Sequence, residues 1–194
     1  MQDRIPVIQI MEAPERPFII TATIDPDDLA PFTRLRDRFF PAERNYLAAH
    51  LTLFHSIPFA YGDDFMAAAK RVSETVQPVA AEVGEPINLG RGVAYPVRAN
   101  QLFELRGQLR DRFAPHLSRQ DAAPWRRPHL TVQNKVDPQE ARRLLRHLQR
   151  HYEPCTIRII GISRYRYAGG PWTFVDQIRW HPRSVAQTLS DPPG

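Results

Sequence analysis

The sequence predicts one α+β domain built as two similar lobes, and three observations lead there. Segments rich in β-branched residues alternate with segments of helical periodicity along the chain. A four-residue word, histidine–apolar–threonine–apolar, occurs twice, as His50-Leu51-Thr52-Leu53 and as His129-Leu130-Thr131-Val132. Each copy reads as a strand with a helix directly after it. At 194 residues the chain is long enough for a substantial core, and no linker composition divides it into independent domains. Residues 1–182 are expected to form the domain, and 183–194, ending in "SDPPG", a flexible tail.

The elements follow in order. "FIITATID" (18–25) is a buried strand running into Asp25-Pro26, an N-cap followed by proline at the first helical position. Leu29, Phe32, Leu35 and Phe39 then recur at helical spacing, and Pro41 ends the helix. "HLTLFHSIPF" is a strand closed by Pro58. Phe65, Ala69, Val72 and Val76 mark a second amphipathic helix starting at Asp63 or Asp64. "AAEVGEPINLG" and "GVAYPVRA" read as two strands joined around Gly90-Arg91-Gly92. Asn100 is expected to cap a third helix carrying Leu102, Leu105, Leu109 and Phe113. A loop with Pro115 and Pro124 leads to "HLTVQNKV". Asp137-Pro138-Gln139-Glu140 starts a fourth helix with Glu140 at the capping-box position, its buried stripe made by Ala141, Leu144, Leu145 and Leu148. "CTIRIIGISRYRYAGG" and "WTFVDQIRW" close the chain as a hairpin around Gly169-Gly170-Pro171.

Composition narrows the partners. The formal charge is +5 and Lys70 and Lys135 are the only lysines, so the positive charge is almost all arginine. Arginine suits bidentate contacts to phosphate, although a charge of this size is also met by a simple arginine bias. No apolar run is long enough to cross a bilayer, the N-terminus lacks the pattern of a secretory signal, and Cys155 is the lone cysteine. A reducing compartment, the cytoplasm, is therefore the expected location.

The two words carry the chemistry. In a strand, side chains alternate faces, so His50 and Thr52 share one face while Leu51 and Leu53 pack behind. The same holds for His129 and Thr131 over Leu130 and Val132. Roughly 0.06 such words are expected by chance in a chain of this composition, which makes a pair unusual. If the lobes face each other, a cleft receives two imidazoles and two hydroxyls. One neutral histidine can accept a proton from water or a ribose hydroxyl, and the other, protonated, can donate to the leaving oxygen. The threonines can donate to non-bridging phosphoryl oxygens. The arrangement suits a phosphodiester and requires neither metal nor cofactor.

On these words the chain resembles the 2H phosphoesterase superfamily, and in particular the 2′-5′ RNA ligase family, over roughly residues 17–180. The resemblance implies a bilobal, pseudo-twofold fold, two antiparallel sheets flanking a central cleft with helices outside. It also implies hydrolysis of 2′,3′-cyclic phosphates or 2′-5′ linkages at RNA ends or in small nucleotides. By position, His50 and His129 are the expected acid–base pair and Thr52 and Thr131 the phosphate contacts. The expected partner is an RNA or nucleotide phosphodiester, bound by a monomer without metal or membrane. The rival reading is a noncatalytic RNA or nucleotide binder using the same cleft.

Other residues are placed by parity. Phe54 falls on the His50 face and, with Tyr46, Tyr95 and Trp125, is a candidate to stack a base. Gln133 and Lys135 fall on the His129 face, and Lys135 would reach a distal phosphate. Arg126 and Arg127 precede the second word and could draw an anion to the cleft mouth. His55 is expected to point away from His50. Arg164 to Tyr167 alternate arginine and tyrosine, compatible with RNA contact or an exposed hairpin. His147 and His151 have metal-pair spacing without the glutamate of a metalloprotease helix, and arginines surround them.

Overall fold

A computed structural model describes residues 15–167 and 170–181. The tail expected at 183–194, and Gly169 of the expected hairpin turn, lie outside the described residues. Among the described residues eight strands and five α-helices follow one another as β1 (Phe18–Ile24), α1 (Pro26–Phe39), β2 (Leu51–Ile57), α2 (Gly62–Val72), β3 (Val79–Val83), β4 (Ile87–Asn88), β5 (Val93–Arg98), α3 (Asn100–Phe113), α4 (Arg119–Ala122), β6 (His129–Gln133), α5 (Pro138–Arg150), β7 (Cys155–Arg166) and β8 (Thr173–Arg179).

Local chemistry accounts for most boundaries. The Asp25 carboxylate accepts the Asp27 amide at the start of α1, and the Asp137 carboxylate accepts the Gln139 amide at the start of α5. Glu140 departs from the capping-box expectation: its carboxylate accepts from Gln133 Nε2 on β6. Ala99, rather than Asn100, is the cap position of α3. The single strand expected at 80–90 is two, because the Gly84-Glu85-Pro86 break turns the chain between β3 and β4. The loop expected before the second word holds α4, capped by Ser118 Oγ accepting the Asp121 amide.

All the strand pairings are antiparallel and run β2-β1-β7-β3-β5-β6, with β4 extending along β5 and β8 along β7. That order is a palindrome. Exchanging β1-α1-β2-α2-β3 for β5-α3-β6-α5-β7 maps the path onto itself, with the axis between β7 and β3. The two word-bearing strands stand at opposite ends of the path, and its curl brings β2 and β6 together. The expected pair of antiparallel sheets is thus one continuous curled sheet, whose two halves join between β7 and β3 and approach one another at β2 and β6.

The helices cross over between halves. Phe32 of α1 meets Tyr95 of β5 edge-on, 5.2 Å between ring centres. Phe65 of α2 meets Phe113 of α3, in the other half, at 5.0 Å. The apolar residues behind the words, Leu51, Leu53, Leu130 and Val132, have no solvent exposure and join both halves into one core. Burying side chains of this size contributes about 1.5–3 kcal/mol each.

Candidate active site

Each word ends in a β-bulge, and the bulges decide which side chains reach the cleft. Along β1, Ile20 faces Phe54 while the next residue, Thr21, faces Thr52, so Leu53 is an extra residue in β2. Along β5, Val93 faces Gln133 and Ala94 faces Thr131, so Val132 is the extra residue in β6. Before the bulge the alternation holds and His50, Thr52, His129 and Thr131 stand on the cleft face. Beyond it the faces exchange. Leu53 and Phe54 are both buried, as are Val132 and Gln133.

This exchange corrects three expectations. Phe54 does not face the cleft: it is fully buried against Phe65 with the Arg106 guanidinium 4.7 Å over its ring. His55, expected to point away, lines the cleft instead. Gln133 turns inward to Glu140, and Lys135 lies past the end of β6 in a turn with φ 63°, exposed and away from the cavity. Tyr95 is a fourth correction. It is a core residue against Phe32, and burial pushes its phenol up to about 12.

The cavity between the lobes has a volume of about 520 Å³ and gathers His50, Thr52, His129 and Thr131 in one lining. Trp125, Arg126 and Arg127 also line it, with Trp125 backed by Phe103 at 5.0 Å. Tyr46 lies instead in an adjoining cavity of about 300 Å³, which shares His50 and Trp172 with the first. The alternating segment at 164–167 splits its roles. Arg164 is buried in ion pairs with Asp176 and Asp63, whereas Tyr165 lines the adjoining cavity 5.9 Å from Trp172. His147 of α5 and His151, just past its end, sit side by side away from both cavities. Among the described residues no three His, Cys, Asp or Glu side chains cluster as a metal site would need.

The two histidines are held alike. His50 Nδ1–H donates to the Ala48 carbonyl at 2.8 Å, and His129 Nδ1–H donates to the Arg127 carbonyl at 2.6 Å. In both cases the acceptor is the residue two before the histidine. A carbonyl accepts only, so Nδ1 carries the hydrogen and Nε2 is left as the working nitrogen. Desolvation pushes His50 from 6.5 down to about 4; the positive charges of Arg36, His55 and His129 act the same way, against the Ala48 hydrogen bond. Its imidazole is thus neutral over the physiological range.

Two buried arginines clasp the words from behind, each reaching across to the other half. Arg36 of α1 donates to the Thr131 carbonyl on β6 at 3.1 Å and to the Leu47 carbonyl and Asn45 Oδ1 at 2.9 Å each. Arg106 of α3 donates to the Leu53 carbonyl on β2 at 2.8 Å, the Asp121 carbonyl at 2.9 Å and, more weakly, the Ala123 carbonyl at 3.5 Å. Sequence reasoning missed both. A signal existed, since Arg36 lies four residues after Phe32 and Arg106 four after Leu102, on the buried helix stripes. Trp172, whose ring centre is 4.7 Å from that of His50, was also missed; strand pairing alone brings it there.

Comparison with known proteins agrees with this architecture. No curated protein matches the chain. Among solved structures, one described as a phosphoesterase aligns at 16% identity over 87% of this chain and 99% of its own, with TM-score 0.59. Escherichia coli LigT complexed with NADP+ aligns at 18% identity over 88% and 100%, with TM-score 0.58. LigT complexed with 3′-AMP aligns at 16% over 86% and 98%, with TM-score 0.58. These likenesses establish a shared fold. The family model described as the 2′-5′ RNA ligase superfamily matches residues 24–171, which spans both words and every element between them, and the chain belongs to that superfamily.

Proposed function

We propose that the protein is a metal-independent phosphodiesterase acting on RNA ends or small nucleotides that carry a 2′,3′-cyclic phosphate or a 2′-5′ linkage. One observation carries the reading: two histidines in one cavity, each with Nδ1 tied to a carbonyl and each accompanied by a threonine two residues on. In hydrolysis, His50, held neutral, takes the proton of the attacking water at Nε2 as the water oxygen bonds to phosphorus. The bond from phosphorus to the leaving ribose oxygen breaks, and His129, protonated, gives that oxygen its Nε2 proton. Thr52 and Thr131 donate to the non-bridging oxygens, where negative charge must be held in the transition state. Run backwards, the same proton transfers join rather than cleave. That LigT has been crystallised with 3′-AMP, NADP+ and ATP supports a nucleotide as the ligand class.

The test is turnover of 2′,3′-cyclic nucleotides and 2′-5′ and 3′-5′ dinucleotides in the presence of EDTA. Replacing His50 or His129 by Ala is expected to cost roughly 100- to 10,000-fold in rate. Binding of these compounds without turnover by the wild type would instead favour a noncatalytic binder. Full turnover by both single variants would refute the reading.

A further inference from the structure

The cleft holds a third imidazole that the acid–base scheme leaves unused. The bulge at Leu53 turns His55 toward the cavity, and its side chain is 48% exposed. Behind it stands Asp121 of α4, with no solvent exposure. The Asp121 carboxylate accepts the His55 amide and the Ser56 amide at 2.9 Å each, the Ser118 hydroxyl at 3.2 Å, and His55 Nδ1–H at 3.2 Å. Burial would raise the Asp121 carboxyl, but these hydrogen bonds outweigh it and hold the group below the ordinary carboxylate range.

The support differs in kind from that of the other two rings. His50 and His129 lean on neutral carbonyls, which fix the tautomer and leave Nε2 as the working nitrogen. His55 Nδ1–H instead donates to a buried carboxylate, so this ring is anchored by an anion. With Nδ1–H committed to Asp121, Nε2 is the free ring nitrogen of a side chain that lines the cavity, where a proton held between it and a phosphate oxygen would make a charge-assisted hydrogen bond. The cavity gives it a partner to bind: at about 520 Å³ it exceeds the space of one phosphoryl group. Its described lining carries His50, His55, His129, Arg106, Arg126 and Arg127 and no carboxylate.

We propose that His55, positioned by Asp121, binds a second phosphate of the substrate, so that the preferred ligand is a nucleotide phosphodiester bearing a further phosphate beside the one between His50 and His129. This rests on the phosphodiester reading above. A charge-assisted hydrogen bond of this kind is expected to favour the doubly phosphorylated ligand by roughly 10-fold or more.

The experiment compares adenosine 2′,3′-cyclic phosphate with its 5′-phosphorylated counterpart on the full chain. The ratio of their kcat/KM values is measured for the wild type, His55→Ala and His55→Gln. The wild type should prefer the 5′-phosphorylated substrate, and both variants should bring the ratio close to one. Calorimetric Kd values for adenosine 3′-phosphate and adenosine 3′,5′-bisphosphate should show the same ratio and the same loss. A wild-type ratio near one in both assays, or a ratio that survives both substitutions, overturns the proposal. If the wild type turns over neither substrate, the hydrolase reading fails while the two Kd values still decide the role of His55.

Discussion

Replacing Arg106 by Lys retains the charge and removes the fork. The native guanidinium spans the Leu53 and Asp121 carbonyls at 2.8 and 2.9 Å while lying 4.7 Å over Phe54 and 5.6 Å from Trp125. A lysine ammonium has one point of attachment and can reach one of these carbonyls, not both. The other is left buried and unpaired, at a cost of about 1.5–3 kcal/mol for a hydrogen bond to a charged group, and the stacking on the two rings contributes about 0.5–1 kcal/mol more. The expected loss is about 2–4 kcal/mol, a factor of roughly 30 to 1,000 in the unfolding equilibrium. Urea unfolding followed by tryptophan fluorescence measures it, read as a fall in midpoint at unchanged slope. Because one of these carbonyls belongs to the bulge of the first word and the other to the residue that anchors His55 in the cavity wall, turnover should fall by more than the small unfolded fraction explains. A change in stability below about 0.5 kcal/mol would mean that the fork is not what holds Leu53 and Asp121, and the reasoning would be refuted.

The pH dependence of stability carries the mark of His50. Its folded value of about 4 lies below the 6.5 of an unfolded imidazole, so between these values the unfolded chain binds the proton that the fold refuses. His50 therefore lowers stability as pH falls from about 6.5 to about 4 and has no effect above that window; His50→Gln should flatten this part of the curve. Trp172→Ala removes the ring 4.7 Å from His50 and admits water, so the His50 value should rise toward 6.5. A proton NMR titration that still finds it near 4 would show that Trp172 does not provide the desolvation. Gly92 faces the second bulge, where an added Cβ would stand 2.0 Å from the Gln133 carbonyl oxygen and 2.6 Å from Asn134 Cα. Gly92→Ala should cost about 1–3 kcal/mol or more and lower the melting temperature, since backbone on both sides must move.

The alternation of period two was enough to place His50, Thr52, His129 and Thr131 together, because each pair lies ahead of the irregularity in its strand. It failed one or two residues later, at Phe54, His55 and Gln133, because an extra residue reverses the faces that follow it, until in β2 a second irregularity between Phe54 and Ile57 restores them. Leu53 and Val132 carry no compositional mark of a bulge; only the register against β1 and β5 reveals it. Helix starts at Asp25 and Asp137 were legible from their caps, and Ser118-Arg119-Gln120-Asp121 has the same form, a capping signal in a stretch read as loop. Trp172 and the Arg106–Leu53 clasp depend on contacts between distant segments, which no local pattern encodes.

The crossed reach of Arg36 and Arg106 bears on how such a chain could have arisen and whether it can be divided. Each half ends in a strand, β3 or β7, that pairs into the other half, and each lends its arginine to the opposite word. Taken alone, either half would have an arginine without its distant carbonyl and a strand edge without its neighbour. Two such halves satisfy one another only by reciprocal exchange, the geometry of a twofold swapped dimer whose subunits have been joined end to end. A chain opened near Gly90, between the halves, should therefore yield two fragments that recover structure by associating with each other rather than by folding separately.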